Sequence, residues 1–118
     1  MVSTLRVITA LLPTAVFAFA CGGAGFRNRR LFEEHYQKHG DQFGNVSKSQ
    51  YLCLAQELRD APVSGNILET RRPDGIFTRF DRHNGYFGAY NGSGTIRTFF
   101  IPNDGERYFR RQAERDHD

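Results

Sequence analysis

The sequence predicts an α+β protein in which helices come first and a four-stranded antiparallel sheet follows. Two helical patterns lie before residue 62, and four short runs of β-branched or aromatic residues come after it. The runs are separated by three turn-forming sequences, Pro73-Asp74-Gly75, Asn84-Gly85 and Asn91-Gly92-Ser93-Gly94. Three successive tight turns indicate a meander, and 118 residues suit one domain.

The first helix is predicted over residues 30–39. Phe32 and Tyr36 lie at positions i and i+4 and form an apolar stripe, and Gly40 follows as a C-terminal stop. A last short helix is predicted over residues 106–114.

The second helix has a clear start signal. Ser47 and Gln50 have the spacing of a capping box, and Val46 and Tyr51 have that of a hydrophobic staple. Pro62 prevents the helix from continuing. Its apolar face consists of Tyr51, Leu54, Ala55 and Leu58.

The predicted strands cover residues 66–72, 76–81, 86–90 and 95–102. In α+β proteins the helices are segregated to one side of an antiparallel sheet. We therefore expect the N-terminal helices to pack on one face of the sheet, which leaves the other face free to carry a site.

Residues 1–20 have the pattern of a secretory signal peptide. Arg6 supplies the positive charge, a short apolar stretch follows, and Ala18-Phe19-Ala20 matches the small-residue cleavage pattern. The apolar stretch is too short for a comfortable bilayer span. The sequence therefore predicts export to the periplasm or the medium, with no transmembrane span in the mature domain.

Cleavage after residue 20 would make Cys21 the first residue of the mature chain. A flexible tether over residues 21–29 and a single domain over residues 30–118 are expected to follow. Two alternatives stay open for Cys21: lipid modification, which would anchor the protein at the membrane, or a disulfide with Cys53 in an oxidising compartment.

Composition limits the classes of function. Aromatic residues make up 14% of the chain, which argues against disorder, and the net charge is +3. Only Lys38 and Lys48 are lysines, so the positive charge is mostly arginine, whose planar guanidinium suits phosphate. Motifs of phosphate-binding loops, zinc peptidases and serine hydrolases are missing from the sequence, and the two cysteines lack zinc-site spacing. We predict no cofactor and no metal.

The first helix carries His35, Lys38 and His39. His35 and Lys38 lie about 60° apart around the helix axis, so their side chains project from one side. A metal-independent ribonuclease needs a base for the ribose 2′-OH, an acid for the leaving 5′-oxygen and a cation for the phosphate. Histidine suits the two proton transfers because its pKa lies near neutrality.

The last strand adds a second group of candidates. Arg97 could bind a phosphate and Thr98 could orient it, although alternation puts them on opposite sides of a regular strand. Both could serve one site only if a bulge or the sheet edge intervenes. The residues predicted to bind RNA outside the site are Arg71, Arg72 and Arg79.

Several motifs occur together in one order along residues 31–112. The most specific are the His35-x-x-Lys38-His39-Gly40 segment and Ile96-Arg97-Thr98-Phe99-Phe100, followed by Tyr108-Phe109. This string resembles the small RNase toxin domains at the C-termini of bacterial polymorphic and contact-dependent inhibition toxins, in the barnase/EndoU/colicin/RelE-like superfamily. The resemblance implies metal-independent cleavage of RNA, often tRNA, by 2′-OH attack. It makes His35 the acid/base candidate, with His39 and Tyr108 in support.

We therefore expect an exported endoribonuclease that acts on RNA and has a cognate immunity protein as a further partner. The alternative is a non-catalytic exported binding module or lipoprotein that reuses the same fold.

Overall fold

The structure, a computed structural model, describes residues 21–116, so the predicted signal peptide lies outside the described residues. Within this part the predicted α+β class is confirmed, with a four-stranded antiparallel sheet and three helices. None of these helices is long and apolar enough to cross a membrane. The elements in chain order are α1 (Arg29–His39), a 3-10 turn (Gly40–Phe43), α2 (Lys48–Asp60), β1 (Ile67–Arg71), β2 (Phe77–Asp81), β3 (Tyr86–Tyr90), β4 (Ile96–Phe100) and α3 (Glu106–Asp116).

Helix α2 starts where its capping signal predicts. The Gln50 backbone N–H donates to Ser47 Oγ at 3.1 Å, and the Ser47 N–H donates to Gln50 Oε1 at 2.8 Å. These reciprocal bonds satisfy two of the donors that every helix start leaves without an intrahelical partner.

Helix α1 ends at His39 as predicted, but Gly40 does not act as a left-handed stop. Its φ is −55°, and the chain continues as the 3-10 turn to Gly44, whose φ of +88° ends it. A glycine is needed at position 40 for space, because a Cβ there would lie 2.9 Å from the ring of Tyr36. The Tyr36 hydroxyl donates to the Val46 carbonyl at 2.6 Å and ties α1 to the start of α2.

The sheet has the strand order β1-β2-β3-β4, and all its pairs are antiparallel. Its register shifts in the last pair: Ala89 lies opposite Thr98, whereas Tyr90 lies opposite Ile96. Arg97 is thus the extra residue of a β-bulge, the irregularity that Arg97 and Thr98 would need to serve one site.

One face of the sheet carries the larger part of the core. Tyr51 of α2 is fully buried, and its hydroxyl donates to the Phe99 carbonyl at 2.5 Å. Tyr90 is also fully buried and donates to the Ala55 carbonyl at 2.8 Å, so both hydroxyls join α2 to the sheet. The buried residues of this cluster are Tyr51, Ala55, Leu58, Phe77, Tyr90, Ile96 and Phe99.

The opposite face is not left free, which corrects the expectation that it would be. Phe109 of α3 packs with Phe80 and Phe87 in a second buried cluster on that face. Helix α3 is strongly amphipathic, and burial of one aromatic side chain of this size stabilises the fold by about 2–3 kcal/mol.

The N-terminal segment is bonded to the domain, in place of the predicted flexible tether. Cys21 forms a disulfide with Cys53, which is the second of the two alternatives for this cysteine. The Arg59 guanidinium donates to the carbonyls of Gly22 and Ala24, both at 2.6 Å. Three independent anchors within a few residues leave this segment little freedom.

Candidate active site

A cleft with a volume of about 480 Å³ lies between α1, the edge strand β4 and α3. It contains five of the six predicted catalytic residues. The sixth, Arg97, is not part of the lining. The residues that line the cleft are Glu34, His35, Lys38, His39, Thr98, Phe100 and Tyr108.

The two histidines are held by stacking on phenylalanine rings. The His35 ring lies 5.0 Å from the ring of Phe26, and the His39 ring lies 5.0 Å from the ring of Phe100, measured between centroids. The two imidazole centroids are 6.0 Å apart, as one helical turn on α1 requires. Each imidazole thus has an aromatic support from a different element.

The Nδ1 atoms of His35 and His39 are buried and have no hydrogen-bond partner among the described residues. An imidazolium carries an N–H on both nitrogens, so protonation would place an unpaired N–H at each of these positions. Leaving a buried donor unpaired costs about 1–3 kcal/mol. The site therefore favours the neutral form of both rings, and a ring that accepts a proton at Nε2 must carry its own proton on Nδ1.

The pKa values of both histidines are lowered from the ordinary value. Burial is the main cause for His35, the Lys38 charge adds to it, and the Glu34 carboxylate acts in the opposite direction. Burial also lowers the pKa of His39, and the charges of His35 and Lys38 lower it further. The Glu34 carboxylate thus favours the protonated form of His35, its neighbour in the chain.

The wall of the cleft opposite α1 comes from β4 and α3. Thr98 and Phe100 are two residues apart on β4, so both side chains lie on the face that carries α3. The Tyr108 ring packs edge-on against Phe87 and Phe100, with centroids 4.9 and 5.4 Å apart. This packing fixes the phenol at the border of the cleft.

Arg97 lies outside this arrangement. Its side chain is exposed, and Nη1 donates to Asn91 Oδ1 at 2.9 Å. The bulge does not bring it beside its neighbour Thr98 in the lining of the cleft. The structure thus brings together the imidazoles and Thr98 but not the guanidinium.

The three arginines predicted to bind RNA lie away from the cleft. Arg71 is exposed on β1, at the opposite edge of the sheet from β4, and its guanidinium stacks 4.4 Å from the Phe77 ring. Arg72 forms an ion pair with Asp74 at 3.1 Å. Three intervening strand spacings put this edge about 14 Å from β4.

The Arg79 side chain is only 11% exposed, and its donors already have partners within the protein. It pairs with Glu69 at 2.8 Å and donates to the carbonyls of Leu58 and Ala61 at the end of α2. This placement argues against an RNA contact, since a buried and fully bonded guanidinium cannot reach a phosphate. Its role is to satisfy the carbonyls that the helix end leaves open.

Sequence reasoning missed three residues of the cleft and its surroundings. Phe100 could have been found from strand alternation with Thr98, and Glu34 from its position one residue before His35. Phe26 carries no sequence signal for this role, because its contact with His35 depends on the path of the N-terminal segment.

Within residues 21–116, no group of three or more His, Cys, Asp or Glu side chains is placed to hold a metal ion. No protein-family model matches the chain, and no curated protein matches it significantly.

Proposed function

We propose that the protein is an endoribonuclease that cleaves RNA without a metal ion, by attack of the ribose 2′-OH on the adjacent phosphate. The observation that carries this proposal is the cleft in which His35 and His39 lie beside Lys38. Two imidazoles with a centroid separation of 6.0 Å can contact the two sides of one phosphodiester.

In this proposal His39 is the base and His35 is the acid. Neutral His39, with its own proton on Nδ1, takes the proton from the 2′-OH at Nε2, and the 2′-oxygen forms a bond to phosphorus. The bond between phosphorus and the 5′-oxygen breaks, and His35 gives its proton to that oxygen. The products are a 2′,3′-cyclic phosphate and a free 5′-OH. The assignment follows from Glu34, which stabilises the protonated form of His35.

Lys38, Thr98 and Tyr108 are proposed to contact the phosphate and a neighbouring nucleobase. The Lys38 ammonium stabilises the negative charge that grows on the non-bridging oxygens. The Thr98 hydroxyl donates a hydrogen bond to one of them, and the Tyr108 ring offers an edge for a neighbouring nucleobase. The cleft opens beside the edge strand β4, and α1, which carries both imidazoles, forms the wall opposite Thr98.

We also propose that the protein acts outside the cytoplasm or is delivered from there. The Cys21–Cys53 disulfide supports this, because disulfides persist in oxidising compartments. A Cys21 sulfur bonded to Cys53 cannot carry a thioether lipid, which favours secretion or a periplasmic location over lipid anchoring. Structured RNA such as tRNA is the proposed substrate, and an immunity protein that covers the cleft is the proposed partner.

The test is cleavage of purified tRNA and total RNA in the presence of EDTA, with the product ends mapped. His35→Ala and His39→Ala should each reduce the rate by about 10²–10⁴-fold, the range for loss of a general acid or base. His83→Ala is the matched control, because His83 is exposed in the turn between β2 and β3. Equal rates for His35→Ala and His83→Ala, or no cleavage by the wild-type protein, would contradict the proposal.

A second candidate function is binding without turnover. The observation that favours it is the position of Arg97 outside the cleft, which leaves Lys38 as the only Lys or Arg in its lining. With Glu34 beside Lys38, the cleft has little net charge and attracts phosphate only weakly. Saturable binding of RNA or of a protein, without formation of cyclic phosphate ends, would support this candidate.

A further inference from the structure

The N-terminal segment over residues 21–26 is bonded to the domain along its whole length. Arg59 and Gln56 of α2 donate to the carbonyls of residues 22–24, with Gln56 Nε2 at 3.3 Å from both Gly23 O and Ala24 O. The Ile96 N–H donates to the Gly25 carbonyl at 2.9 Å. The segment thus runs from α2 to the edge of the sheet.

The segment ends at the candidate active site. Phe26 forms a parallel bridge with Ile96 at the start of β4, and its ring stacks on His35. The same ring lies 5.6 Å from Phe32 and 6.4 Å from Tyr51, between centroids. Phe26 therefore connects the core to the imidazole that lines the cleft.

We propose that residues 21–26 form a strap that positions His35 in the cleft, and that the Cys21–Cys53 disulfide secures the strap. The role of the strap in catalysis rests on the proposed ribonuclease function. The disulfide places the same site under redox control. Phe26 is a positioning residue, since it acts on substrate only through His35.

The physical basis is the freedom of a histidine at a helix surface. The His35 ring has no hydrogen bond at Nδ1, so the Phe26 ring is its main orienting contact. A ring without such a contact exchanges between side-chain rotamers. Misplacement of a catalytic group by about 1 Å can cost about 100-fold in rate, so the strap matters for the reaction.

Reduction of the Cys21–Cys53 disulfide should loosen the strap at the end that is distant from His35. Dithiothreitol passes two electrons and two protons to the Cys21 and Cys53 sulfurs, which become thiols, and is itself oxidised to a cyclic disulfide. The first residues of the strap then keep only the bonds to Arg59 and Gln56. Because these residues are exposed, water competes for their carbonyls.

The strap acts on His35 through burial and contact, and not through charge. Residues 21–26 contain no titratable side chain in the oxidised protein. The titratable groups that face His35 are Glu34, Lys38 and His39 from α1, and Tyr108 from α3. A change in the strap therefore changes the solvation of His35 and leaves these neighbours in place.

The experiment follows the His35 Cε1–H NMR signal of the purified protein against pH, without RNA. The signal is assigned by its loss in His35→Ala. Phe26→Leu should raise the pKa of His35 toward its ordinary value, because part of the burial that lowers it is removed. Reduction of the disulfide in the wild-type protein should also raise the pKa of His35. Phe43→Leu is the matched control, since the Phe43 ring is also half-buried but contacts Tyr51, Tyr86 and Phe99.

Cleavage assays add the catalytic readout. Phe26→Leu and the reduced protein should cleave RNA about tenfold more slowly or worse, and Phe26→Tyr, which keeps a ring, should restore the rate. If the wild-type protein cleaves no RNA but the His35 titration shifts as described, the strap stands and the ribonuclease proposal falls.

An unchanged His35 titration in both the reduced protein and Phe26→Leu overturns the strap, whatever the cleavage rates. Backbone amide spectra verify that each variant is folded. If Phe26→Leu unfolds, the reduced wild-type protein and Phe26→Tyr still decide the outcome.

Discussion

His35 and His39 lie one turn apart on α1 with their ring centroids 6.0 Å from each other, and the charge on one lowers the pKa of the other. Two groups coupled in this way lose their protons in two steps that belong to the pair. Between these steps the pair holds one proton, which is the state that contains one acid and one base.

The pH dependence of cleavage should therefore have its maximum on the acid side. Because the pKa values of both histidines lie below 6.5, the singly protonated pair is most populated below that pH. We expect a bell-shaped profile of kcat/KM for the free enzyme with its optimum below pH 6.5. A rate that stays constant above neutral pH would instead assign the acid role to Lys38 or Tyr108.

Replacement of Lys38 should raise the pKa values of His35 and His39. Lys38→Gln removes a positive charge that lowers the pKa of His35 and of His39, so both values should rise. NMR titration of the two rings at low ionic strength measures the effect, because salt screens such interactions. The control is Lys48→Gln, which removes the other lysine, an exposed residue paired with Glu33 at 3.4 Å. Similar shifts in both variants would show that overall charge is responsible.

Gly88→Ala should destabilise the fold strongly. A Cβ at this position in β3 would lie 2.2 Å from the Tyr90 hydroxyl, which is fully buried and bonded to the Ala55 carbonyl. We expect a loss of about 3 kcal/mol in the free energy of unfolding, at the upper end for overpacked cores. Gly65→Ala has no atom within 4 Å of the added Cβ and should change stability by less than about 0.5 kcal/mol. Denaturant unfolding of the two variants tests the difference.

Arg59→Lys should lower the free energy of unfolding, even though the positive charge is retained. The Arg59 side chain is only 7% exposed, and its guanidinium donates to three carbonyls, those of Gly22, Ala24 and Gly94, and to the Asp60 carboxylate. An ammonium cannot reproduce this planar set of donors. We expect a loss of about 2–3 kcal/mol, because hydrogen bonds from a charged group to these carbonyls are lost and each contributes about 1.5–3 kcal/mol.

Thermal or denaturant unfolding measures this loss, with Arg107→Lys on the exposed side of α3 as the matched control. Equal stability of the two variants would mean that water replaces the guanidinium at no cost, so that Arg59 does not hold the strap.

The helices and strands were predictable because their signals are local. The Ser47–Gln50 capping box and the turns at Gly75, Gly85 and Gly94 each act over four residues or fewer. Prediction failed where a residue serves a partner distant in the chain. Arg79 caps the end of α2, 18 to 21 residues earlier, and nothing near it in the sequence indicates this.

The candidate site was likewise predictable only where its signals are local in the sequence. Helical spacing alone places His35, Lys38 and His39 on one side of α1, since 3.6 residues make one turn. Whether Thr98 and Tyr108 face them depends on how α1, β4 and α3 pack, and local propensity does not encode that packing. The bulge at Arg97 is also a product of strand pairing, and it does not bring the guanidinium into the cleft.

The amino-acid sequence by itself determined the α+β class, the order of the elements and the histidine cluster, because these follow from periodicity, capping and turn chemistry within short windows. Only the tertiary structure decided that α3 covers the second face, that Cys21 is bonded to Cys53, and that Phe26 supports His35. Those contacts join residues far apart in the chain, and their free energy depends on the burial and the distances that the folded protein creates.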